Sequence, residues 1–195
     1  DPHIAKPLLD EIIPLAQKVD DVSFMEVCGT HTMEIGRFGI RSLLPENIHL
    51  ISGPGCPVCV TPGQYIDNAV ETAKKHDLVI ATYGDMVRVP GTTTSLEQAR
   101  AEGVRVNVIT SPLEVLGMDG NVLFLAVGFA TTAAPIAAVL QRVIEQNRSS
   151  ISFYTSIKTV PQTLKVLGAD PDIQLDGFLL PGHVSAVIGT DAYGD

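Results

Sequence analysis

Three cysteines, Cys28, Cys56 and Cys59, carry the most versatile chemistry in this chain. The first stands in Cys28-Gly29-Thr30-His31-Thr32, the other two in Gly53-Pro54-Gly55-Cys56-Pro57-Val58-Cys59. A C-x-x-C set between prolines that fix φ and glycines that let the chain turn sharply suits a reversible disulfide or two ligands of one metal. A cysteine that opens a helix meets unpaired N–H groups and a dipole that favour a thiolate, the form that binds metal or exchanges disulfides. Cys28 is expected to stand at such a point, with Gly29 allowing close approach and His31 three positions on. Its plain alternative is a buried thiol at a strand end. His183, in Pro181-Gly182-His183-Val184-Ser185, is the second histidine placed to orient a ligand, with a purely structural role as its alternative. Asp85 and Arg88 can pair with each other or with a polar ligand. Neither G-x-x-x-x-G-K-[ST] nor G-x-G-x-x-G occurs, so nucleotide binding has no motif behind it.

The elements that must position these groups alternate. A helix over residues 4–18, with Pro14 kinking or ending it, precedes a strand over 22–27 that ends at Cys28. A helix over 31–44 leads to a strand at 48–51 and the Gly/Pro/Cys loop. Then come a helix over 64–75, a strand at 78–83 and the loop Gly84 to Gly91. Ser95 with Gln98 reads as a capping box for a short helix, followed by a strand at 104–109. The alternation restarts with a short helix at Ser111-Pro112, a strand at 122–127, the loop Gly128-Phe129-Ala130-Thr131-Thr132 and a helix at 133–147. A strand at 151–155, a helix at 161–167, a strand at 177–180 and the loop 181–185 complete it.

Apolar strands, intervening helices and short connections predict an α/β fold of parallel sheet flanked by helices. The restart predicts two similar, Rossmann-like units, residues 1–110 and 111–195, with a cleft between them. Ligands of open parallel sheets bind outside the carboxyl ends of the strands. Cys28-Gly29-Thr30-His31, Gly55 to Cys59, Gly84-Asp85, Gly128 to Thr132 and Pro181 to Ser185 all fall at such ends. Gly29, Thr30, Asp85, Thr131, Thr132 and Ser185 are therefore expected to line the cleft.

The 195 residues bear a formal net charge of −9 and no basic cluster, which argues against nucleic acid, whose binding rests on phosphate neutralisation. Val122 to Leu140 is uncharged, but Gly128, Thr131, Thr132 and Pro135 interrupt it, so a buried strand, loop and helix face explain it better than a membrane span. An odd cysteine count and an N-terminus without an export-signal pattern point to a cytoplasmic redox or metal role rather than a disulfide framework.

Four segments in order resemble the HypD family of nickel–iron hydrogenase maturation proteins: Met25 to Thr32, Gly53 to Val60, Gly84 to Gly91, and Pro181 to Ser185 with Ile188 to Tyr193. The resemblance implies a scaffold rather than a turnover enzyme, on which an iron carrying two cyanides and one carbon monoxide, Fe(CN)2CO, is assembled. It implies a HypC-type chaperone and a HypE-type cyanide donor as partners. By the same resemblance Cys28 holds the iron together with a cysteine of the chaperone, Cys56 and Cys59 form a redox-active pair, and His31 and His183 lie in cleft-lining motifs. Soft thiolates suit such iron, and a nearby dithiol can supply electrons. The chain departs from the family's Gly-Phe-Glu-Thr-Thr at Ala130, which removes a carboxylate. It also lacks the later cysteines that bind a four-iron four-sulfur cluster in the family, so that cluster is not expected here.

Two other readings use the same residues. Cys28-x-x-His31 with Cys56-x-x-Cys59 has the ligand types of a structural zinc site. Cys56 and Cys59 alone would serve a thiol–disulfide oxidoreductase, indifferent to loss of Cys28.

Overall fold

The computed structural model describes residues 2–194 and shows an α/β protein with two parallel sheets flanked by helices. The chain divides into two compact units, one formed by residues 1–56 and 160–195 and the other by 57–159.

In the first unit, β1 (Val22–Glu26) lies between β2 (Ile48–Ser52) and β7 (Gly177–Leu179). Helix α1 (Pro2–Ala16) precedes β1 and keeps Pro7 and Pro14 inside it. Asn47 holds the turn that follows, its Nδ2 donating to the carbonyls of Ala16, Val19 and Asp20. Helix α2 (Gly29–Arg37) starts two residues earlier than the sequence predicts and stops before Gly39. Gly39, at φ +60°, takes the left-handed conformation that glycine adopts without strain, and a short 3-10 turn, Ile40–Ser42, replaces the expected last helical turn. Helices α6 (Val160–Ala169) and α7 (Gly182–Ile188) flank β7.

In the second unit the order is β4-β3-β5-β6, with β3 at Val79–Tyr83, β4 at Val106–Ile109, β5 at Val122–Gly128 and β6 at Ile151–Ile157. Helices α3 (Gly63–His76), α4 (Leu96–Ala101) and α5 (Ala130–Glu145) connect them. The capping box at α4 forms as expected, with Ser95 Oγ accepting from the Gln98 N–H. Every residue of β5 is buried, which explains the long uncharged run: a central parallel strand has no wet face. Phe124 anchors this core, meeting Tyr83 and Phe153 edge-to-face at 5.9 and 5.6 Å. No described helix is long and apolar enough to cross a membrane.

The boundary expected near residue 110 is not where the chain divides. Strands β3 and β4 share a sheet with β5 and β6, and β7 returns to pair with β1. The restart of the helix–strand pattern marks a crossover within one sheet. Two of the expected loops are also helical: Thr131 and Thr132 lie in the first turn of α5, and His183 and Ser185 lie on α7.

Candidate functional site

In the first unit, the carboxyl ends of β1 and β2 bring two cysteine motifs into main-chain contact. The Gly53 N–H donates to the Glu26 carbonyl at 2.8 Å, and the Gly29 N–H donates to the Gly55 carbonyl at 3.2 Å. A side-chain carbon at Gly55 would lie 2.6 Å from the nitrogen and carbonyl carbon of Cys28 and from the nitrogen of Gly29. One at Gly53 would lie 2.7 Å from Met25 Cγ. Real carbons do not approach this closely, so both glycines of Gly53-Pro54-Gly55 are demanded by the fit.

Cys28 is the N-cap of α2, half-buried, with extended backbone and no capping hydrogen bond from its sulfur. Cys28 therefore stands at the start of α2, where the first N–H groups of the helix have no intrahelical partner. Cys56 is half-buried and Cys59 exposed. His31 lies in the first turn of α2, half-buried, with Nδ1 enclosed and lacking a hydrogen-bond partner. Thr30 is exposed, and Gly29 packs against the Gly55 carbonyl. His183 is exposed on α7, whereas Ser185 spends its hydroxyl on the Pro181 carbonyl at 2.9 Å and on Tyr193 Oη at 3.2 Å.

Glu26, which the sequence reading passed over, is a fully buried carboxylate. Thr32 Oγ1 donates to its Oε1 at 2.6 Å, and Arg41 Nη2 stands 3.9 Å away. Its Oε2 is enclosed without a partner. The signal available in sequence was a lone acid following the apolar pair Phe24-Met25 in the strand.

In the second unit, Asp85 is exposed in a 3-10 turn, Gly84–Met86, after β3. Burial, followed by the Asp85 charge, pushes the neighbouring Tyr83 hydroxyl above its ordinary range. Thr131 is exposed and Thr132 half-buried over Gly128, where a side-chain carbon would come within 2.4 Å of Thr132 Cβ. A pocket of about 610 Å³ with both polar and apolar walls opens between the start of α3 and the end of β6, lined by residues including Gln64, Tyr65, Asn68, Tyr154 and Ile157. Tyr65 and Tyr154 stack at 4.3 Å there, and the Tyr65 hydroxyl donates to the Tyr154 carbonyl at 2.5 Å.

Asp67 is the other group that sequence reasoning missed. Its carboxylate accepts from the N–H groups of Thr92, Thr93 and Thr94 and from the Thr93 hydroxyl, pinning that loop to α3. Burial pushes its carboxyl up, but hydrogen bonds from the Thr93 and Thr92 backbone and the Thr93 hydroxyl outweigh this and bring it down to about 2.

Among the described residues, no three or more His, Cys, Asp or Glu side chains gather to hold a metal ion. The zinc reading thus has no preformed ligand set.

A family model described as "HypD: Hydrogenase formation hypA family" matches residues 3–195. The "Hydrogenase maturation factor HypD" of Rhodobacter capsulatus is 39% identical over 99% of this chain and 54% of its own length. The protein of the same description from Escherichia coli K12 is 45% identical over 87% of this chain and 47% of its own length. A "putative hydrogenase expression/formation protein" of Methanocaldococcus jannaschii is 38% identical over 99% of this chain and 55% of its own. The chain spans about half the length of these curated relatives.

Proposed function

Because this chain belongs to the HypD family of hydrogenase formation proteins, we propose that it is a scaffold holding an iron–cyanide–carbonyl unit through Cys28 during hydrogenase maturation. The observation that carries this reading is the placement of Cys28: half-buried, at the start of α2, with the Gly53-Pro54-Gly55-Cys56 loop laid against its backbone. The iron unit is cargo. Three diatomic ligands already occupy its coordination sphere, so one thiolate here and one from a HypC-type partner suffice to hold it, and a HypE-type donor supplies cyanide.

Each residue then has a task. Cys28 gives up its proton on binding, because the thiolate is the ligand. Glycines 53 and 55 hold the second cysteine loop in register with it. Cys56 and Cys59 supply a C-x-x-C dithiol beside these glycines in sequence, a pair suited to thiol–disulfide exchange with a disulfide-bearing partner, in which one disulfide forms as the other is reduced. His31, one turn along α2 from Cys28, offers its ring to the bound unit, and Thr30 and His183 add exposed polar groups within the same unit of the fold. The cytoplasm, where thiols stay reduced, is the fitting compartment.

Anaerobic co-purification with a HypC-type partner, followed by infrared spectroscopy of metal-bound carbonyl and cyanide, tests this. Bands that disappear in Cys28→Ser are expected. Persistence of those bands in a folded Cys28→Ser protein would remove Cys28 from the iron.

A further inference from the structure

We propose that Glu26 is a positioning residue that fixes where Cys28 stands relative to the second cysteine loop. Glu26 closes β1, the central strand of its sheet, two residues before Cys28, and none of its surface is exposed. It holds both flanks at once. Its main-chain carbonyl takes the Gly53 N–H at 2.8 Å, which aligns the loop that carries Cys56. Its Oε1 takes the Thr32 hydroxyl at 2.6 Å, while the Thr32 N–H donates to the Cys28 carbonyl at 3.1 Å and its hydroxyl lies 3.4 Å from that oxygen. Thr32 therefore ties Glu26 directly to Cys28. On the other side Arg41, 3.9 Å from Oε1, donates to the Leu50 carbonyl at 3.2 Å and to Ser52 Oγ at 2.9 Å, both on β2.

Stability does not account for a carboxylate here. Oε2 is buried with no partner, and the guanidinium stands beyond hydrogen-bond distance. An enclosed acid satisfied on one oxygen only costs the fold more than an apolar side chain of the same volume. What the acid provides is an acceptor at the point that reaches α2, through the Thr32 hydroxyl. This placement matters for metal capture only if Cys28 is the iron ligand, and so rests on the function proposed above; its test is made without iron, so the two readings fail separately.

The experiment measures alkylation of the native, iron-free protein by iodoacetamide, resolved by peptide mass spectrometry at Cys28 and at exposed Cys59, beside thermal unfolding. Glu26→Met is expected to melt no lower than the parent, yet to alkylate at Cys28 at least about fivefold faster, the size of one lost placement hydrogen bond. Thr32→Val, which removes the donor and leaves the acid, is expected to do the same. Glu26→Gln still offers an oxygen to Thr32 and is expected to stay within about twofold of the parent. If Glu26→Met does not fold, Thr32→Val decides alone. The proposal is overturned if the folded variants leave Cys28 unchanged. It is also overturned if Cys59 accelerates equally while the melting point falls, which is general loosening, or if Gln and Met act alike, which is a charge effect.

Discussion

The backbone of Cys28 touches Gly55 so closely that a side-chain carbon on the glycine would lie 2.6 Å from the cysteine's nitrogen and carbonyl carbon. Two cysteine motifs 28 positions apart in sequence are thus one structure at the ends of paired strands, β1 and β2.

Gly55→Ala should force these loops apart. Overpacking against backbone, which has no rotamer to yield, is expected to cost about 1–3 kcal/mol, read as a lower urea midpoint. Gly36→Ala is the control: it lies on α2 with nothing near its missing side chain, and it should raise stability by about 0.5–1 kcal/mol. Equal behaviour of the two variants would contradict the packing described.

Asp67 should make the second unit acid-sensitive in a defined window. Its folded carboxyl sits at about 2, below the ordinary 3.8, so its contribution is fully present above the unfolded value and is lost as pH falls from about 4 towards 2. Asp67→Asn is expected to be less stable than the parent at neutral pH, with the gap closing across that window. Urea unfolding at a series of pH values checks this; a gap independent of pH would assign the loss to something other than the charge.

Phe124→Ala should empty the centre of the four-stranded sheet. Its ring is fully buried between Tyr83 and Phe153, and truncation at such sites costs about 3–5 kcal/mol. The chain has no tryptophan, so circular dichroism is the suitable probe. A loss under about 1 kcal/mol would mean that the site collapses on itself.

Ala130→Glu restores the residue that the resemblance leads one to expect, and the fold shows what it would do locally. Position 130 opens α5, whose first turn holds no acidic side chain and whose N-cap, Phe129, makes no capping hydrogen bond. A carboxylate there should meet the helix dipole and add about 0.3–1 kcal/mol at low salt, fading as salt rises. A stability change insensitive to salt would argue against that cause.

Cys28→Ala separates the proposed metal role from the proposed dithiol role. Iron retention should be lost, whereas thiol–disulfide exchange through Cys56 and Cys59, followed with a disulfide substrate, should stay within about twofold because neither sulfur of the pair is removed. Loss of both would show that the three sulfurs work as one group.

Much of this protein could be read in its sequence because the informative signals are local. Apolar runs of strand length, helical periodicity and glycines beside cysteines gave the α/β class and the order of elements. The motifs around Cys28, Cys56 and Cys59 marked the family that the comparisons then showed. Helix ends were less legible: Thr131, Thr132, His183 and Ser185 looked like loop residues, yet the free N–H groups of a helix start lie in just such turns.

Only the tertiary structure decided which strands pair. β7 returns across the whole second unit to lie beside β1, and β5 inserts between β3 and β6. Parallel strands are joined by crossovers, so neighbours in a sheet need not be neighbours in sequence, and no local pattern encodes the choice. The same holds for the two carboxylates missed at first. Glu26 and Asp67 are ordinary acids until strand pairing encloses one beside Thr32 and loop packing brings three backbone N–H groups to the other. Their roles come from partners that folding, not spacing, delivers.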